Sequence, residues 1–156
     1  MRMRPAERAI LWFRNDLRLH DHEPLQLAER AAAQGAEVVP VYCFDPRHFG
    51  TLRQTGLRKT GVHRARFLLE SIADLRASLR RIGSDLVVAC GKPEEVLPRL
   101  LHPEGRTMIL AHREAMHEEL GVERRLQNAI AGDRVAFCTD IWGGNTLCAP
   151  LDRSAD

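Results

Sequence analysis

Ile10-Leu11-Trp12-Phe13-Arg14-Asn15-Asp16-Leu17-Arg18-Leu19-His20-Asp21 runs from an apolar, strand-like segment straight into a loop of alternating charges. An open α/β sheet has such a joint at its first strand, because its ligands bind beyond the carboxyl ends of the strands, where the strand order reverses. Strand-like runs recur at Arg8–Phe13, Glu37–Phe44, Asp85–Cys90, Thr107–Ala111 and Arg134–Cys138, separated by segments of helical period. This alternation predicts an α/β fold: a doubly wound, five-stranded parallel sheet, Rossmann-like or flavodoxin-like, with strand order 3-2-1-4-5 and helices on both faces.

The clearest helix places Leu68, Ile72, Leu75, Leu79 and Ile82 at four-three-four-three spacing, one stripe for the core, and Gly83 ends it as a left-handed cap. Pro24 opens the first helix, Pro93 the third with Glu94 and Glu95 in its first turn, and a fourth runs from about His117 to Ile130. Asp45 to Gly61 has no clear period and is longer than a structural connection usually is, so it is expected to be functional or mobile. Residues 1–141 read as the domain, and 142–156 as the start of a linker or a flexible tail.

The 156 residues suit one domain, 44% apolar and 28% charged, with no apolar run near the roughly 20 residues of a membrane helix. Arg2 and Arg4 precede only a short apolar run, which does not fit a signal peptide, so a cytoplasmic location is expected. All but Lys59 and Lys92 of the 23 basic residues are arginine, yet the formal charge is only +2 because acidic residues accompany them. Cys43, Cys90 and Cys138 each end an apolar run and read as small buried hydrophobes, with Cys148 in the tail and no disulfide expected.

In the first loop, Arg14, Asp16, Arg18 and Asp21 either pair mutually or present two guanidinium groups to an anion; mutual pairing is the less costly arrangement. His20 and His22, flanked by Asp21 and Glu23, lack a distant third ligand and read as solvated or capping rather than metal-binding. His112-Arg113-Glu114 borders the same crevice, where a carboxylate can accept paired hydrogen bonds from an aminopyrimidine edge. Phe49 is a candidate to pack on a flat ring. There is no Gly-x-Ser-x-Gly elbow, phosphate loop or His-Glu-x-x-His, so no catalytic set is expected in this chain.

Trp12-Phe13-Arg14-Asn15-Asp16-Leu17-Arg18 resembles the opening signature of the photolyase/cryptochrome family. Asp45-Pro46-Arg47 through Lys59-Thr60-Gly61, Arg64-Ala65-Arg66-Phe67-Leu68-Leu69-Glu70-Ser71 and Asp74-Leu75-Arg76 resemble its DASH-type branch. The likeness runs from about Ala9 to Leu147 and implies the N-terminal antenna domain, with the helical FAD-binding domain outside this chain. It implies that Glu114 matches the position whose carboxylate holds the pterin of a methenyltetrahydrofolate-type antenna, with Arg113 beside it. FAD, and any contact with DNA, would come only through the helical domain, joined in one longer protein or supplied in trans. That domain would also complete the antenna pocket, of which this chain supplies one wall, unless a homodimer partner does so.

Two rival readings follow from the residues. One is a docking module or half of a split photoreceptor without chromophore, which exposed apolar surface around Trp142 and Leu147 would favour. The other is a nucleotide-binding protein on a Rossmann-like sheet.

Overall fold

The computed structural model describes residues 6–52, 55–130 and 132–141. Five parallel strands, β1 (Arg8–Phe13), β2 (Glu37–Phe44), β3 (Val87–Cys90), β4 (Thr107–His112) and β5 (Val135–Ile141), form one sheet of order β3-β2-β1-β4-β5. The helices are α1 (Glu23–Ala33), α2 (Val62–Arg81), the single turn α3 (Pro93–Val96) and α4 (His117–Ala129). The expected strand order and all-parallel pairing are therefore observed, and the order reverses between β1 and β4.

Alternation along β1 sorts the two cores. Ala9, Leu11 and Phe13 pack with Ala28 and Ala31 of α1 and with Ile72, Leu75 and Leu79 of α2. Ile10 and Trp12 face the other way, against Leu97 and against Val122, Leu126 and Ile130 on the α4 side. Every residue of β1 after Arg8 is buried, as the central strand of a doubly covered sheet must be.

Cover fails at the β3 edge, where Val87 and Val88 are 40% and 38% exposed. Two expectations fall at the edge strands β3 and β5. Cys90 is exposed rather than buried, because β3 has a strand partner on one side only, and Cys138 is half-buried. Cys43 is buried as expected, and burial pushes its thiol up to about 12, so it packs as a neutral side chain. The α2 stripe is also shorter than its spacing suggests: Ile82 is 65% exposed, because the helix stops at Arg81 and the chain turns away.

That turn is made by Gly83 at φ +82°, with Gly83 N–H donating to Arg80 O and Ser84 N–H to Leu79 O, the paired closure of a left-handed helix stop. A Cβ at Gly83 would meet open space, so only the backbone conformation penalises a side chain there. Gly83→Ala is expected to lower stability by about 1–2 kcal/mol, read from the urea midpoint at unchanged slope.

The 45–61 segment is built rather than featureless. Asp45 caps a 3-10 turn (Pro46–His48) by accepting from Arg47 N–H, and Thr51 bridges Arg58. Arg47 also pairs with Asp45 and Glu94, and Arg125 with Glu94, so four charges tie this segment to α3 and α4. Trp142, Leu147, Cys148 and the proposed linker lie outside the described residues.

Candidate functional site

The crevice at the reversal is bordered by the β1–α1 loop and by the residues that follow β4. Its floor is a cluster of three fully buried groups, Asp16, His22 and His112. His112 Nδ1 donates to Asp16 Oδ2 at 2.5 Å, His22 Nε2 lies 2.8 Å from the same oxygen, and Arg14 N–H donates to Asp16 Oδ1 at 2.9 Å. Burial alone would raise the Asp16 carboxyl, but the hydrogen bonds from His112, His22 and the Arg14 main chain outweigh it and hold it well below the usual carboxylate range. An ionised Asp16 can only accept, so both imidazoles present N–H to it.

His22 is therefore a capping residue, as expected, but a buried rather than a solvated one. Its Nδ1 accepts from Leu25 N–H at 3.1 Å, closing the N-terminus of α1. This fixes the proton on Nε2, which argues against a metal in the cluster, since a ligating Nε2 would need its lone pair while Nδ1 is already an acceptor. The separations argue likewise: bonds of about 2.0–2.1 Å at tetrahedral angles put donor atoms about 3.3 Å apart, wider than the 2.5 and 2.8 Å found.

The expected charge lattice resolves differently. Arg14 turns inward, with Nη1 on Glu123 Oε1 at 2.5 Å and the guanidinium 4.7 Å from the centre of the Trp12 ring, its side chain 7% exposed against 4% for Glu123. Arg18 donates to the main-chain oxygen of Asp21 at 3.1 Å. Asp16 takes histidines in place of arginines because His22 and His112 reach it from α1 and β4 with their donors already desolvated.

Above this floor Asn15 Nδ2 donates to Glu114 Oε1 at 3.1 Å, joining the two loops across the crevice. Glu114 is half-buried, and its Oε2 accepts no hydrogen bond among the described residues. Desolvation pushes its carboxyl upward, opposed by the Arg14 charge and by Asn15. Arg113 approaches Glu123 at 3.6 Å and shares that carboxylate with Arg14. Phe49, in the 45–61 segment, is 38% exposed and leans on Phe44 at 6.2 Å between ring centres. Asn15 also lines a cleft of about 330 Å³ with Lys59, Thr60 and Arg64, at the small end of the range for ligand pockets.

The sequence matches the family described as DNA photolyase over residues 9–151. The chain belongs to that family. Cryptochrome DASH of Gloeobacter violaceus is 52% identical over 143 residues, 92% of this chain and 27% of its own length. The blue-light photoreceptor PHR2 of Arabidopsis thaliana is 46% identical over 86% of this chain and 29% of its own length. Among solved structures, the cryptochrome of Synechocystis sp. PCC6803 superposes with a TM-score of 0.69 at 45% identity, over 78% of this chain and 24% of that one. The archaeal photolyase of Sulfolobus tokodaii, solved with two FAD molecules, gives 0.65 at 25% identity, over 83% of this chain and 28% of that one. This photolyase-family chain thus spans about a quarter of the length of these relatives, and its sheet matches the N-terminal α/β domain of photolyases.

Asn15 and Glu123 carried no role in the sequence reading. Glu123 was the more legible: it stands on the buried side of α4 with Val122 and Leu126, and an acidic residue on an apolar stripe requires a buried cation.

Proposed function

We propose that this domain holds a methenyltetrahydrofolate-type antenna pterin at the β1/β4 crevice and packs against an FAD-binding helical domain, in one polypeptide or in trans. The observation that carries the reading is Glu114, a half-buried carboxylate at the strand reversal with one oxygen pinned by Asn15 and the other without a donor among the described residues. A carboxylate so placed suits the paired N–H donors of an aminopyrimidine edge. Arg113 would border the ring, and Phe49 would reach it only from the 45–61 segment. Bound there, such a chromophore absorbs near-ultraviolet light and passes excitation to flavin without covalent chemistry. Residues 1–141 would form this antenna domain, with 142–156 leading toward the helical one, and any light-driven DNA repair would belong to the flavin side.

The N-terminus of α1, where a Rossmann-like sheet seats a phosphate, is closed by the His22 ring, which weighs against the nucleotide reading. The docking reading is favoured by Val62, Phe67 and Leu69 of α2, exposed at 76%, 71% and 58%. Titration of the purified chain with methenyltetrahydrofolate, followed by near-ultraviolet absorbance with FAD as control, separates the two. Saturable binding of folate that Glu114→Ala abolishes, at nearly unchanged Tm, supports the antenna reading; unchanged affinity in Glu114→Ala rejects the site, and no binding of either ligand favours docking.

The pH dependence of that affinity has a definite sign. Recognition of N–H donors requires ionised Glu114, so binding is full above its pKa and is lost as pH falls through it. Because burial raises that pKa, the loss is expected at a higher pH than for an exposed glutamate. A binding curve flat down to the ordinary glutamate range would contradict the assignment.

A further inference from the structure

Asp16, His22 and His112 are closed off from solvent, yet they lie directly beneath the contact that crosses the crevice: Asp16 follows Asn15 in sequence, and His112 precedes Glu114 by two residues. On one carboxyl group meet the end of β1 through Arg14 N–H, the start of α1 through His22, and the end of β4 through His112. The strand register also shifts between Leu110 and His112, so β4 breaks its regular pairing with β5 where the histidine enters the cluster.

Stability alone does not account for this choice of residue. His112 Nε2 is buried without a hydrogen-bond partner, an arrangement that an apolar side chain of similar size would avoid. What an apolar side chain cannot do is hold the β4 end to the Asp16 carboxylate with a directed N–H.

We propose that Asp16, His22 and His112 are positioning residues that set the Asn15–Glu114 contact and thereby aim the Glu114 carboxylate at a heterocycle bearing N–H donors. The ligand part of this inference rests on the pterin reading above; the geometric part does not. His112→Leu removes the donor, whereas His112→Asn restores an N–H near the position of Nδ1 and omits the orphaned nitrogen. In the ligand-free chain, 15N–1H spectra are expected to show the Asn15 side-chain amide with the same shifts and slowed exchange in wild type and His112→Asn, and solvent-like in His112→Leu. Methenyltetrahydrofolate should bind His112→Leu about tenfold more weakly, with affinity recovered in His112→Asn.

A folded His112→Leu with an unaltered Asn15 amide overturns the positioning role, as does failure of His112→Asn to restore the amide. If wild type binds no folate while the amide still responds to His112→Leu, this domain is not a self-sufficient pterin site and the positioning role stands. His112→Phe, which keeps a ring without the donor, is read the same way should His112→Leu fail to fold.

Discussion

Asp16→Ala is expected to lower Tm by roughly 6–20 °C. Removing one partner of a buried charged group costs about 3–5 kcal/mol, and a domain of this size loses about 2–4 °C per kcal/mol. The variant leaves His22 and His112 with buried N–H groups aimed at nothing and releases the Arg14 main chain. The effect also has a pH signature. Because the folded state holds the Asp16 carboxyl below its ordinary value of 3.8, its contribution is fully present above that pH and is lost as pH falls below it. The stability gap between wild type and Asp16→Ala should therefore be constant at neutral pH and narrow below about pH 4. A gap that stays constant into acid would show that Asp16 is not held ionised by its neighbours.

Glu123→Ala should be comparably damaging, at about 3–5 kcal/mol, because it strands the Arg14 guanidinium against Trp12 in the core. Arg113 loses the same partner but is partly exposed and can turn to solvent. Replacing both members of the pair, Arg14→Met with Glu123→Leu, should recover most of the loss, since an apolar pair of similar volume avoids the desolvation of two charges. Denaturant melts of the two single variants and the double variant measure the coupling, and additive losses would refute the pairing. Arg14→Met has a second expected effect: the Arg14 charge lowers the Glu114 carboxyl, so the pH at which folate binding fails should move upward.

The fold was legible because its signals are local. Arg8–Phe13 and Glu37–Phe44 are apolar runs bounded by charge, and their ends coincide with β1 and β2. The β3 boundary was less so. The apolar run suggests a strand from Asp85, but the Asp85 side chain is taken by Arg76 and Arg80 and by the following N–H of Leu86, and pairing begins only at Val87. Ile82 illustrates the limit of periodicity, which marks a residue as apolar on a face but cannot say that the helix stops one residue earlier.

Glu114 was legible through its family resemblance, whereas the cluster beneath it was not. Positions 16, 22 and 112 come together only once β4 is laid beside β1, and nothing in the local sequence around position 22 points to a histidine 90 residues away. Sequence spacing also favoured pairing within the Arg14–Asp21 loop, when the buried partners came from α1, α4 and β4.

Because β1 precedes the other four strands in the chain and is also the central strand, its two flanks are completed at different times. As the chain leaves the ribosome, β2 and then β3 can pair outward, and α1 and α2 can close over Leu11 and Phe13. The other edge of β1 waits for Thr107 onward, several seconds later at roughly 5–20 residues per second. Until then Ile10 and Trp12 have neither α4 nor β4 to cover them, and the half-built sheet presents an unpaired central edge to any neighbouring chain.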